Sequence, residues 1–420
     1  MTNNDDRAAV DLMRPLRDVD PTDGPPPRYD VSSAMRQADT IRHRRMAVGA
    51  FVAVAAVALA VGVPLGLRSH PHGGPTATAA SPSASVRPSS SPTPKGQRPT
   101  LTSAADLPLA NCTVDTLPVP AGVGAYTAWV GGYVDPTGRY LAGSLIKPFT
   151  LPLSDYKPGK AVLVDLQTGH VTLIPIADGG ASGVNASGTV IGTTGPNYIG
   201  WVYRNGHVSP LPKFKGSPIA PSAINANGDI VGHATVGNTD TSVIVRANQP
   251  GIVKELLPKG IYVDTITDNG TIAGRYHDKP WIGDGKGDGR TLPTDATDPR
   301  GEVYKITGDY AVGWGLNDHG QGLFPMVWNL ANGVLTPYPM VPLWQVATDG
   351  TVVGDVSDGD NRVGLIGHNG VLQRLPTGAA SDLQVVVDDM TADGHTVVGK
   401  RRTSATVSGP ISEVGLIWHC

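Results

Sequence analysis

The chain has 420 residues, with 33 Lys and Arg against 36 Asp and Glu, and it contains 53 Gly, 37 Pro and 2 Cys. The formal net charge of −3 argues against a nucleic-acid-binding protein, because such proteins carry a dense basic patch. Gly and Pro together make up about a fifth of the chain, against roughly 12% in ordinary proteins. The composition therefore favours turns and strands over helices.

An uncharged apolar stretch of 22 residues occupies positions 46–67. As a helix it would be about 33 Å long, which matches the hydrocarbon core of a bilayer. Residues 42–45 are all basic, whereas only Arg68 follows closely, so the positive-inside rule predicts a cytoplasmic N-terminus and an exported C-terminal part. The alternative is a cleaved signal peptide, because Ala-Leu-Ala at 58–60 resembles a cleavage site.

This interpretation divides the chain into a cytoplasmic tail, 1–45, a transmembrane helix, 46–67, a linker, 68–108, and an extracellular domain, 109–420. The linker is rich in Pro, Ser and Thr, which do not form a packed core and whose hydroxyls could carry glycans.

The tail has two short apolar patterns: Ala9, Leu12, Leu16, Val19 and Val31, Met35, Ala38, Ile41. Neither buries a core alone, so the tail is interpreted as mostly disordered or as a docking segment. It resembles the cytoplasmic ends of bacterial membrane-bound anti-sigma proteins, although the His and Cys pattern of their zinc sites is absent. That resemblance implies a cytoplasmic partner for residues 1–45.

A repeated motif is the strongest signal in the sequence. Each unit has an apolar strand, a turn with Asp or Asn and Gly, and a second apolar strand ending in glycine: Gly143, Gly192, Gly232, Gly274, Gly313, Gly354 and Gly399. A second hairpin follows each glycine and ends in an aliphatic-Pro or aromatic-Pro pair. Four strands and about 40 residues per unit predict an all-β, seven-bladed β-propeller. The last unit lacks its fourth strand, and the strand leading to Leu117-Pro118 supplies it, so the N-terminal strand closes the last blade.

The two cysteines fall on the hairpin that the chain termini interrupt. Alignment of the units puts Cys112 opposite Gly370 and Cys420 opposite Asn369, which are adjacent turn positions. In an exported domain such a pair predicts a disulfide bond, and the alternative is two unrelated free thiols.

The units resemble the bacterial extracellular HAF repeat, whose pattern is Ile-Asn-x-x-Gly-x-x-Val-Gly. Residues 223–232, Ala-Ile-Asn-Ala-Asn-Gly-Asp-Ile-Val-Gly, fit this pattern closely. Residues 135–142, Asp-Pro-Thr-Gly-Arg-Tyr-Leu-Ala, are similar to the TolB-type propeller repeat. In place of the His-Ala-Phe triplet of the first family, the third strands carry Trp201, Trp281, Trp328 and Trp418. We expect these tryptophans to pack between blades. The resemblance implies a propeller fold, a fold that hosts many unrelated functions.

Motifs for catalysis and cofactor binding are absent from the sequence, including the Gly-x-Ser-x-Gly elbow, the His-Glu-x-x-His helix and the phosphate-binding loop. We therefore predict a protein that is not an enzyme, with no catalytic residue, metal or cofactor. Residues 284–289, Asp-Gly-Lys-Gly-Asp-Gly, are similar to a calcium loop. Lys286 stands where a ligand should be, and the repeat predicts an ordinary hairpin turn there.

The connections between second and third strands are long and irregular, at 144–160, 234–241, 314–325 and 400–413. In a four-stranded blade they share one face with the blade-to-blade loops, and insertions on one face of a repeat array indicate a binding surface. The candidate contact residues on this face are Tyr156, Tyr198, Tyr276, Trp314 and Phe324.

These observations predict a membrane-anchored extracytoplasmic propeller that acts as a binding or scaffolding module for an extracellular protein or glycan. Two alternatives stay open. One is a transmembrane sensor that couples ligand binding outside to a partner of residues 1–45. The other is an envelope enzyme acting on carbohydrate or peptide.

Overall fold

The computed structural model describes residues 101, 103–147, 159–195, 197–294, 299–316, 323–358, 361–378, 385–402 and 413–420. The predicted tail, the predicted transmembrane helix and the linker up to residue 100 lie outside the described residues. In the part that the structure describes, no helix has both the length and the apolar character needed to cross a bilayer. That part contains one short 3-10 helix, Ala104–Asp106, and otherwise consists of strands and their connections.

Seven antiparallel sheets of four strands each confirm the all-β, seven-bladed propeller. Blade 1 consists of β2 (Ala128–Val134), β3 (Tyr140–Ile146), β4 (Lys160–Asp165) and β5 (His170–Leu173). Blade 2 consists of β6 (Gly179–Val184), β7 (Val190–Thr194), β8 (Ile199–Arg204) and β9 (His207–Pro210). Blade 3 consists of β10 (Ala220–Ile224), β11 (Ile230–Val236), β12 (Thr239–Val245) and β13 (Val253–Glu255).

The remaining blades follow in chain order. Blade 4 consists of β14 (Ile261–Ile266), β15 (Ile272–Tyr276), β16 (Lys279–Gly283) and β17 (Gly289–Thr291). Blade 5 consists of β18 (Gly301–Thr307), β19 (Tyr310–Leu316), β20 (Leu323–Asn329) and β21 (Leu335–Thr336). Blade 6 consists of β22 (Leu343–Val346), β23 (Val352–Asp358), β24 (Asn361–His368) and β25 (Val371–Arg374). Blade 7 consists of β26 (Val385–Met390), β27 (Thr396–Arg402), β28 (Glu413–His419) and the N-terminal strand β1 (Thr113–Thr116).

The ring of blades is closed by contacts between the first strands and by the pairing of β1 with β28, which is called the seam. Each first strand contacts the first strands of both neighbouring blades, so the seven first strands form a closed inner ring. At the seam, β1 pairs antiparallel with β28, and Thr113 lies opposite His419. Cys112 and Cys420 flank this strand pair and are joined as a disulfide. The N-terminal strand therefore completes the last blade, and the predicted cysteine pair is brought together there.

The glycines that mark the repeats have a common structural cause. Each first strand contains a β-bulge, an extra residue without a partner on the second strand. The bulge brings the first strand close to the glycine of the second strand. A Cβ on Gly274 would overlap the carbonyl oxygen of Tyr262, and one on Gly313 would overlap that of Glu302. Glycine is thus required there because no side chain fits.

The third-strand tryptophans pack between blades, as expected from the sequence. Trp201, Trp281, Trp328 and Trp418 are each at most 2% exposed. The Nε1 of Trp328 donates a hydrogen bond of 2.7 Å to the carbonyl oxygen of Pro293, and Trp418 donates an equal bond to Pro376. These prolines end the fourth strands of the preceding blades, so the repeat's Pro and Trp form one inter-blade contact.

Residues 103–111 form a strap along the outer edge of blade 6. Leu109 pairs with Arg374 of β25 in a parallel bridge. The Oγ of Ser103 donates a hydrogen bond of 2.9 Å to Oδ2 of Asp358, at the end of β23. The chain is thus attached to blade 6 before it reaches the seam in blade 7.

Candidate functional site

The bulges place one residue of each blade outside the strand pairing of the inner ring. From blade 1 to blade 7 these residues are Gly131, Ser182, Ser222, Asp264, Tyr304, Trp344 and Asp388. Blades 1 to 3 therefore have a hydrogen or a small side chain at this position, whereas blades 4 to 7 have an acidic or aromatic one. The inner ring is chemically asymmetric although its backbone repeats.

Three consecutive bulge residues, Tyr304, Trp344 and Asp388, line one open cleft of about 400 Å³. The other residues that line it belong to blades 6 and 7: Gln345, Asp355, Arg362, Val386 and Val387. Arg362 is the second residue of β24, so the cleft lies towards the end of the blades where second and third strands connect. Tyr198, Tyr276, Trp314 and Phe324, four of the candidate contact residues, come from the same end.

The aromatic wall of the cleft is held by an ion pair between the buried Asp355 and the half-buried Arg362. The ring centroids of Tyr304 and Trp344 lie 5.7 Å apart with an interplanar angle of 43°. The Nε1 of Trp344 donates to Oδ1 of Asp355 at 3.3 Å, and Nε of Arg362 lies 2.8 Å from Oδ2 of Asp355. Burial raises the pKa of Asp355, while the charge of Arg362 and the bond from Trp344 lower it. The fully buried carboxylate thus fixes both the indole ring and the guanidinium.

Asp388 is the titratable group of the opposite wall. Its Oδ2 accepts a hydrogen bond of 3.1 Å from the backbone N–H of Gly132, which joins blade 7 to blade 1. Burial raises the pKa of Asp388 to about 6, although the charge of Lys400 and the Gly132 N–H lower it. The Nζ of Lys400 also lies 3.4 Å from Oε2 of Glu413. The charge of Asp388 therefore changes within the mildly acidic range.

A second acidic contact joins blades 4 and 5. Asp264 contacts Glu302, and Oδ2 of Asp264 and Oε1 of Glu302 are buried without a hydrogen-bond partner among the described residues. Burial raises the pKa of Asp264 and the neighbouring Glu302 raises it further, whereas Arg275 lowers it. The raised pKa favours a protonated Asp264 that shares its proton with Glu302. The Nε1 of Trp314 donates to Oε2 of Glu302 at 3.2 Å and so fixes the other side of this carboxylate.

A further polar contact joins blades 3 and 4. The rings of His233 and Tyr262 stack with centroids 3.8 Å apart. Burial lowers the pKa of His233 to about 4 and raises the pKa of Tyr262 to about 12. Both side chains are uncharged at neutral pH and serve as packing between the blades.

The residues predicted as ligand contacts occupy different environments. Tyr156 lies outside the described residues. Tyr198 is 58% exposed in the turn between β7 and β8, Tyr276 and Trp314 are half-buried in second strands, and Phe324 is buried in the core of blade 5. The four described residues do not line the cleft. Their role as ligand contacts stays a prediction.

The sequence analysis did not select Tyr304, Trp344 or Asp388. Each of them lies one residue before the start of a recognisable repeat motif. The closing glycine alone does not identify them, because it follows Tyr304 by 9 residues, Trp344 by 10 and Asp388 by 11.

The calcium-like segment, 284–289, is the turn between β16 and β17. The Oδ1 of Asp284 accepts hydrogen bonds from the backbone N–H groups of Lys286, at 2.8 Å, and Asp288, at 3.2 Å. The bond from Lys286 and the bond from Asp288 lower the pKa of Asp284. Its carboxylate is used to form the turn. Across the described ranges, no cluster of three or more His, Cys, Asp or Glu is placed to hold a metal ion.

Neither a protein-family model nor a curated protein sequence matches the chain. Among solved structures, an oligogalacturonate lyase from Vibrio parahaemolyticus has a TM-score of 0.49 at 10% identity, covering 73% of this chain and 93% of the lyase. An acylaminoacyl peptidase from Pyrococcus horikoshii has a TM-score of 0.46 at 11% identity, covering 69% of this chain and 50% of the peptidase. TolB from Acinetobacter baumannii has a TM-score of 0.31 at 12% identity, covering 71% and 65%. These neighbours include enzymes as well as TolB. Propellers host many unrelated functions, so the fold alone does not decide between an enzyme and a binding protein.

Proposed function

We propose that this protein is a single-pass membrane protein whose extracytoplasmic propeller binds a ligand in the cleft between blades 5, 6 and 7. The observation that carries the proposal is the asymmetry of the inner ring. In blades 1 to 3 the bulge holds glycine or serine, so the fold does not require a large side chain there. Blades 5 to 7 place Tyr304, Trp344 and Asp388 at this position around one cavity.

Packing of the ring alone does not account for these side chains. Tyr304, Trp344 and Asp388 are half-buried at the cleft rather than packed in a core. A carboxyl group whose pKa is raised to about 6 destabilises the folded protein at neutral pH, because its charged form is disfavoured there. Groups of this kind that line a shared cavity are typical of binding sites.

The membrane topology is supported by the apolar stretch 46–67 with its preceding basic residues. It is further supported by the pairing of Cys112 and Cys420, because disulfides persist in oxidising compartments. Protease added outside intact cells should release a fragment that begins in the linker, upstream of the strap at 103–111. Recovery of an intact propeller only from the cytosol would contradict the topology.

Ligand binding is tested in living cells with a photo-cross-linking residue. Tyr304 is replaced by azidophenylalanine, which resembles tyrosine in size, and the cells are illuminated. We expect an adduct of increased mass at position 304. The matched variant carries the same residue at Tyr198, which is exposed but lies outside the cleft. Absence of an adduct at 304, or an adduct at 198 alone, would contradict binding in the cleft.

A further inference from the structure

We infer that the ligand of this cleft is a neutral saccharide. The inference rests on the proposed binding function and adds the chemical class of the ligand. A sugar ring has apolar faces formed by C–H groups and hydroxyls that both donate and accept hydrogen bonds. The cleft offers a partner for each of these features.

The two aromatic rings offer surfaces for the faces of a sugar. Tyr304 and Trp344 meet at 43° with centroids 5.7 Å apart, so they form a corner rather than a flat stack. The indole N–H of Trp344 is already bound to Asp355, so the ring presents apolar surface to the cleft. Because this bond exists before a ligand arrives, the wall is pre-organised and little side-chain entropy is lost on binding.

The charges around the cleft are compensated within the protein. Asp355 is paired with Arg362 at 2.8 Å, and Lys400 is paired with Glu413 at 3.4 Å. The charge of Lys400 also acts on Asp388. Arg362 and Asp388, the charged groups of the cleft that could face a ligand, are thus each compensated by a charge of the protein itself. A charged ligand would find no unpaired partner charge to offset its loss of hydration, whereas a neutral ligand does not need one.

Polar atoms of three side chains are placed to bind hydroxyls. The Oε1 of Gln345 is buried and accepts no hydrogen bond from the described residues, so it requires a donor. Asp388 accepts the Gly132 N–H through Oδ2, which leaves Oδ1 for a ligand. Arg362 meets Asp355 through Nε, which leaves its terminal N–H groups as donors. Hydroxyl groups satisfy both the acceptors and the donors.

The size of the cleft agrees with this class of ligand. Its volume of about 400 Å³ is near the lower end of the range for small-molecule pockets, about 300–1,000 Å³, and accommodates a mono- or disaccharide. A stable protein partner needs about 800 Å² of surface on each side, which this cleft alone does not supply.

The composition of the photo-adduct at position 304 provides the first test. The adduct is released by proteolysis, and its sugar content is determined by hydrolysis and mass spectrometry. We expect a neutral hexose or N-acetylhexosamine. An adduct that consists of peptide, lipid, uronic acid or amine would overturn the saccharide inference while leaving ligand binding in the cleft intact. Absence of any adduct would instead contradict the proposed binding function.

The second test measures affinity for the sugar found in the adduct. The full chain is purified in a detergent without a sugar headgroup and titrated by calorimetry with the neutral sugar, its amino derivative and its uronic acid. We expect the neutral sugar to bind most tightly. Trp344→Ala should weaken binding by about tenfold or more, because it removes a stacking surface, whereas Val371→Ala on the exposed outer strand should not.

Two results of this titration would overturn the inference. One is tighter binding of a charged derivative. The other is unchanged affinity in Trp344→Ala when thermal unfolding shows that the variant is folded. If Trp344→Ala does not fold, Gln345→Ala keeps the aromatic wall and removes a single hydroxyl contact, and an unchanged affinity in that variant would contradict the inference equally.

Discussion

Replacement of Asp388 by Asn should stabilise the folded protein at neutral pH and have little effect near pH 4. Burial raises the pKa of Asp388 to about 6 in the folded protein, whereas the ordinary value in an unfolded chain is about 3.9. The folded state therefore binds this proton more tightly, so the stability that it contributes is complete below about pH 4 and is lost as the pH rises through 6. A difference of about 2 in pKa corresponds to about 3 kcal/mol. Asn stays uncharged, and its amide oxygen still accepts the Gly132 N–H.

The measurement is urea unfolding of the full chain at pH 4.5, 6.0 and 7.5, followed by tryptophan fluorescence. The gain in unfolding free energy of Asp388→Asn over the natural chain should increase with pH towards about 3 kcal/mol. Asp284→Asn is the control, and it should lower the unfolding free energy above pH 4 instead of raising it. Turn hydrogen bonds lower the pKa of Asp284, so its charged carboxylate stabilises the fold. A gain for Asp388→Asn that is equal at pH 4.5 and 7.5 would refute the reasoning.

Three further predictions concern the stability of the ring and use the same unfolding assay. Gly274→Ala should lower the unfolding free energy by about 1–3 kcal/mol, because the new Cβ meets the carbonyl oxygen of Tyr262. The control, Gly251→Ala, places its Cβ in open space and should leave the unfolding free energy nearly unchanged. Equal losses in the two variants would contradict the role of the bulge. Trp418→Phe should cost about 1–2 kcal/mol more than Trp201→Phe, because Trp418 loses a hydrogen bond to Pro376, whereas the Nε1 of Trp201 has no hydrogen-bond partner among the described residues. An equal loss would show that the bond contributes nothing. Cys112→Ser should lower the unfolding free energy by up to about 6 kcal/mol by chain-entropy arithmetic, because the bond joins residues 308 positions apart. The natural chain should be lighter by two hydrogen atoms without reductant than with it, and free alkylation of both thiols in the folded natural chain would refute the bond.

The fold could be predicted because its local requirements leave clear marks in the sequence. The close approach of first and second strands demands glycine at positions such as Gly274 and Gly313, and no other residue substitutes for it. Turn residues with positive φ, such as Asn205 and Gly206, mark the second hairpins. These constraints recur once per blade, so seven weak signals combine into one strong signal.

The cleft could not be predicted in the same way. A bulge adds one residue that breaks the alternation of apolar and polar positions, so Tyr304, Trp344 and Asp388 fall outside the recognisable pattern. The partners that determine their chemistry come from other blades, as the bond between Asp388 and Gly132 illustrates. The strap could not be predicted either, because the composition of residues 103–108 is typical of a linker although Ala104 is only 2% exposed. Long-range packing of this kind has no local sequence signal.

The strap also determines how mechanical load would pass through the molecule. A pull on the linker first meets the strap, whose contacts with β25 and β23 would have to peel away one after another. It then reaches Cys112, where the covalent link to Cys420 carries the force into β28, a strand hydrogen-bonded on both sides. The strap lies on blade 6 and the seam lies in blade 7, and these two blades form most of the cleft. Under the proposed topology and ligand binding, tension between a ligand in the cleft and the membrane would therefore be carried mainly by blades 6 and 7.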